Sequence, residues 1–253
     1  MYNINAAVSN FEYVLEFCSI VFVVIVPILT MRVIAEERKQ KTDQLLYSLP
    51  ITTTQVILGK YLALLTVYAL PLCIISFYPL LFRKYGEVYL LTAYGSILAF
   101  FIMGAALIAL GVFISSLTEN QGFAAGIGIA VILLNYFSVT LSEYVSSTAY
   151  SSLVSLFVIV ILLAVVIKKL TKNDVLAYGV GGVLIAGLMI TYFVDMEKLE
   201  GLLPDIMTKL SLFKQFSYFV NGIFDMTAIV YFLSVIAFFL FLSVQSLEKR
   251  RYN

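Results

Sequence analysis

The chain contains no histidine, no tryptophan and only two cysteines, and 12% of its residues are charged. Without histidine it lacks the commonest general base and the commonest metal ligand. It has no His-Glu-x-x-His, no serine–histidine pair and no two aspartates within its apolar segments, which argues against intramembrane hydrolysis. No cofactor or metal is expected. Cys18 and Cys73 both lie in apolar stretches and read as small buried hydrophobes rather than a disulfide or metal pair. A net charge of +1 gives no sign of nucleic-acid binding or of an acidic partner. Gly59-Lys60 is no phosphate-binding loop, because the upstream glycine is missing and Tyr61 replaces the Ser/Thr.

What is present is apolar length. Hydrophobic residues make up 62% of the chain, and its mean hydropathy is +1.01. A bilayer core of about 30 Å needs about 20 helical residues. Segments 14–33, 56–82, 89–117, 122–141, 151–167, 175–194 and 226–245 meet that need in length or nearly so. Backbone groups in hydrocarbon must be satisfied within the segment, and the alternation of a membrane barrel is absent. The expectation is an all-α membrane protein with about seven transmembrane helices in a single transmembrane domain, 1–253.

Lys and Arg set the orientation. Arg32, Arg38, Lys39, Lys41 and Lys60 group with Lys168, Lys169, Lys172, Lys249, Arg250 and Arg251 on one side. Arg83, Lys84, Lys198, Lys209 and Lys214 fall on the other. The positive-inside rule makes the larger set cytoplasmic, and the spans alternate consistently. This places segment 1–13 outside, without an apolar run or a cation. The reading therefore expects a further N-terminal helix before this chain, with Met1 an internal start; the alternative is an outside N-terminus carried across by the first span.

Three polar connections stand out. In the cytoplasmic segment 34–55 no Gly or Pro interrupts the chain before Pro50, so an amphipathic helix is expected to run on to that proline. Val33, Ile34, Glu37, Lys41, Leu45, Leu46 and Leu49 would share its apolar face, with Glu36, Arg38, Lys39 and Asp43 elsewhere. Thr52 and Gln55 have capping-box spacing before the next span. The turn Ser115-Ser-Leu-Thr-Glu-Asn-Gln121 repeats that spacing from Thr118 to Gln121, with Glu119 favourably placed at a helix N-terminus. On the outside, segment 195–225 has helically spaced apolar residues and reads as one interfacial helix. Gly104, Gly111, Gly122, Gly126 and Gly128 suggest close helix packing, and Pro27, Pro71 and Pro79 suggest kinks. No span carries an ionisable residue near its middle, which argues against a proton-coupled carrier.

Pro27-Ile-Leu-Thr-Met-Arg32, Ala35-Glu-Glu-Arg38, Thr42-Asp-Gln-Leu-Leu46, Leu49-Pro50, Leu58-Gly-Lys60, the 115–121 turn, and the ending Asn221-Gly-Ile-Phe-Asp225 with Ser246-Leu-Glu-Lys-Arg-Arg251 resemble permease subunits of type-2 ABC transporters. The likeness is strongest to the subgroup that includes gliding-motility permeases. It implies a multi-pass permease subunit of an ATP-driven export system in a bacterial cytoplasmic membrane, without an ATPase site of its own. The implied partners are a separate ATPase subunit, a second permease in a homo- or heterodimer, and membrane lipid. It also implies an ATPase-contact surface of Glu36, Glu37, Arg38, Lys39, Lys41, Gln44, Leu45 and Leu46, joined by Thr118, Glu119, Asn120 and Gln121. The alternative the same resemblance carries is a non-transporting complex that uses ATP for a mechanical or regulatory role.

Overall fold

The computed structural model describes residues 11–42, 50–84, 88–171 and 174–251, and all regular structure in them is helical. The all-α expectation is met. The described residues fall into two compact units, one formed by Met1–Tyr136 with Leu212–Asn253 and the other by Phe137–Ser211.

In the first unit, α1 (Glu12–Ser19) and α2 (Phe22–Thr30) are separated by Ile20 and Val21. The chain bends there by 58°. Val23 and Val24 donate to the carbonyls three residues back, each at 3.1 Å, a tighter turn than the α-helix makes. The break lies upstream of Pro27, which sits inside α2; the sequence had placed the kink at the proline. After the short α3 (Ala35–Gln40) comes α4 (Thr53–Ile75), opened by the expected capping box. Gln55 N–H donates to Thr52 Oγ1 at 3.2 Å, and Thr52 N–H donates to Gln55 Oε1 at 3.0 Å. α5 (Tyr78–Phe82) extends the same span.

The unit is organised around α6 (Leu90–Leu117). Within its most apolar window 78% of residues are buried, against 17% in α4, in α7 (Gln121–Tyr144) and in α12 (Met226–Arg251). The central helix is therefore clad by protein, while its neighbours present apolar side chains to lipid. Two glycines allow the close approach. A Cβ on Gly104 would overlap the Tyr68 ring, whose hydroxyl donates to Phe100 O at 2.9 Å. One on Gly111 would overlap the Thr30 side chain. Tyr61 adds a second hydroxyl bond to this helix, to Ala105 O at 3.2 Å.

Among the described residues, four helices are long and apolar enough to cross a membrane, or five if the bent first pair counts as one span. The two further spans expected from sequence fall on α8 (Ala149–Thr171) and α9 (Asp174–Val194) of the second unit. Their described apolar stretches, Ala149–Ile161 and Gly181–Val194, are shorter than a full crossing. These two helices pack on each other, with the Gly181 Cβ position 3.1 Å from Ala164 Cβ.

Segment 195–225, expected outside, is not one interfacial helix. A 3-10 turn (Met196–Leu199) and α10 (Leu202–Lys209) belong to the second unit, and α11 (Leu212–Val220) belongs to the first. α11 buries Leu212, Phe213, Phe216, Phe219 and Val220. Phe216 meets Phe100 with ring centres 5.5 Å apart, Phe213 meets Tyr136 edge-on at 5.0 Å, and Ser96 Oγ donates to Phe219 O at 3.0 Å. An apolar face at helical spacing looks the same whether lipid or protein covers it. Both cysteines are exposed, contrary to expectation, beside outward-facing Phe17 and Ile74. In a span that is no anomaly, because lipid solvates apolar side chains as well as a core does.

Candidate functional site

A polar constellation surrounds α3, at the Leu117 end of α6. A helix leaves its first N–H groups without internal partners. Here the residue before α3 is Ile34, which has no side-chain acceptor. Ser115 supplies one from α6. Its Oγ accepts from Ile34 N–H and Ala35 N–H, both at 3.2 Å, and lies 3.3 Å from Met31 O, to which it donates. Ser115, Ile34 and Ala35 are all buried, so this cap stands in for water that cannot reach them. Lys60 of α4 holds the same segment from another side. Its Nζ donates to Val33 O at 2.6 Å and forms an ion pair with Glu37. Ser246 Oγ of α12 donates to Ser116 O at 3.0 Å.

α3 ends abruptly. Lys41 adopts a left-handed backbone at φ 57°, and Thr42 N–H reaches back to Glu37 O at 3.0 Å. Together with Lys41 N–H to Arg38 O at 3.2 Å, this is a Schellman-type stop made without glycine. The helix expected to continue to Pro50 therefore closes at Gln40. The 118–121 turn also differs from expectation. Asn120, not Thr118, caps α7: its Oδ1 accepts from Gly122 N–H at 3.0 Å and Phe123 N–H at 3.3 Å. Thr118 Oγ1 instead accepts from Asn120 N–H at 3.1 Å.

A family model described as ABC-2 family transporter protein matches residues 2–160, more than half of the chain. The chain belongs to this family. Comparison with curated proteins and with solved structures found no match in either. The ABC-2 protein is thus a multi-pass membrane permease component of an ABC transporter rather than its ATPase.

The ABC-2 chain arranges the expected contact residues unevenly. Lys39 and Lys41 are exposed, as are Glu119 and Asn120, while Thr118 and Gln121 are half-buried. Glu36 is half-buried and accepts from Gln40 Nε2 at 3.2 Å. Glu37, with over a third of its side chain exposed, pairs with Lys60. Arg38 is 7% exposed and lies on the buried side with Ile34 and Ala35, not on the polar face assigned from sequence. Gln44, Leu45 and Leu46 lie outside the described residues. The segment and the turn share one anchor, since Ser115 belongs to the 115–121 motif and holds the start of α3. Sequence reading missed the parts played by Ser115 and Lys60. The available signal was a helix start at Ile34–Ala35 without Ser, Thr, Asp or Asn, which requires a cap from elsewhere.

Proposed function

We propose that this ABC-2 protein is the permease subunit of an ATP-driven exporter in a bacterial cytoplasmic membrane, paired with a second permease and driven by a separate ATPase. The observation that carries this reading is the clamping of α3. A short charged helix is tied to α6 through Ser115 and to α4 through Lys60, while Lys39 and Lys41 remain exposed. Such a platform presents charge to a partner and passes displacement to the spans that hold it. Exposed charges of this kind set partner choice more than raw affinity. ATPase contacts that differ between two states would shift the permease between inward- and outward-facing arrangements. The cargo would pass along faces without charge near their middles, which favours an amphipathic or hydrophobic substrate.

The test separates docking from internal structure. Glu37 is unsuitable, because its substitution breaks the pair with Lys60. Lys39→Glu changes an exposed charge only. It is expected to cut the amount of ATPase that co-purifies from native membranes at least fivefold, with membrane insertion unchanged. An unchanged yield of ATPase would overturn the docking assignment.

A further inference from the structure

Two adjoining cavities open where the starts of α1 and α6 meet the end of α11, at the end of the first unit opposite α3. One, of about 240 Å³, is polar and lined by Glu12, Tyr13, Thr92 and Asn221. The other, of about 500 Å³, is apolar and lined by Gly95, Leu98, Phe219, Ile223 and Phe224. Thr92 and Gly222 form walls of both. Tyr13 and Tyr89 line the polar cavity, and tyrosine near a span end is a common anchor at the membrane–water interface. Leu98 lies further along α6, so the apolar cavity runs deeper than the polar one.

Glu12 is 5% exposed, and among the described residues of the two linings it is the only carboxylate and there is no Lys or Arg. Among the described residues no hydrogen bond or ion pair engages its carboxylate. Glu12 stands in the first turn of α1, where the helix dipole favours a carboxylate, and the polar cavity gives a cationic ligand access to it. The apolar volume is within the range of pockets for small molecules, about 300–1,000 Å³.

We propose that these cavities bind a single-chain amphiphile with an ammonium head, the head against Glu12 and the chain beside Gly95 and Phe224. This goes beyond the permease reading, since binding requires neither ATP nor a partner. If that reading holds, the ligand is of the class exported.

The test is equilibrium binding of radiolabelled dodecylammonium to the full chain in nanodiscs of digalactosyl diacylglycerol, whose headgroup carries no charge. The ammonium is expected to bind at least tenfold more tightly than dodecanol, a comparison that needs no variant. Glu12→Gln should erase that preference while dodecanol binding persists. Gly95→Leu, which fills the apolar cavity, should weaken both ligands. Equal binding of ammonium and alcohol by the unaltered chain would overturn the proposal. So would full competition by phosphatidylethanolamine added to the discs, which would assign the site to bilayer lipid. None of these outcomes depends on ATPase docking, so failure here leaves the permease reading standing.

Discussion

Lys41 shows how one residue can set both a boundary and a surface. Among the described residues it is the only non-glycine with positive φ. A left-handed backbone costs an L-residue with a Cβ about 1–2 kcal/mol, a strain that glycine largely avoids. Lys41→Gly is therefore expected to stabilise the protein by about 0.5–1 kcal/mol, and Lys41→Val to destabilise it by at least as much. Thermal unfolding in detergent reads both; a glycine variant no more stable than the valine one would rule out the left-handed stop. Retaining lysine at a strained, exposed position suits a side chain needed for its charge. The same glycine variant should accordingly gain stability while losing co-purified ATPase. Arg38 makes the opposite point, since a charge can sit in this segment and still face inward.

At the scale of elements, helix existence and helix limits follow different rules. Asn120→Ala should destabilise by about 0.5–2 kcal/mol through loss of the α7 cap, whereas Gln121→Ala should change stability by less than about 0.5 kcal/mol. Chemical denaturation of the two variants side by side decides between the observed cap and a Thr118–Gln121 box, which predicts comparable losses. Apolar segments some 20 residues long were legible because many side chains contribute to one signal, and α4, α6, α7 and α12 lie where that signal put them. Ends depend on single hydrogen bonds. Thr52 and Gln55 formed the box their spacing suggested, but at the 118–121 turn Thr118 and Asn120 were both plausible caps and the chain uses the asparagine. The stop after Gln40 left no mark, because no glycine announces it. The burial of α11 was likewise illegible, since Phe213, Phe216 and Phe219 would be spaced the same way for a lipid interface. In the candidate site the charges were visible, but their directions were fixed by Ser115 and Lys60, distant in sequence.

At the scale of the whole first unit, α6 joins the two ends to which we assign a role. Near Leu117 it caps α3 through Ser115, and near Leu90 it walls both cavities through Thr92. Between them it is packed so tightly that Gly104 and Gly111 leave no room for a methyl group. A close-packed helix moves as a body rather than bending locally, so displacement of α3 has a direct route across the membrane. A mechanical route still requires a demonstrated effect of one end on the other. Ser115→Ala supplies the test because it touches no surface residue. It should leave ATPase co-purification intact and cost about 0.5–2 kcal/mol of stability, as loss of a cap does. It should also lower permease-stimulated ATP hydrolysis in nanodiscs at least fivefold, because the docked helix would no longer be fastened to α6. Loss of stability with full stimulation would mean that Ser115 only closes a helix end, and the coupling would then have to run through Lys60, which holds both Val33 O and Glu37.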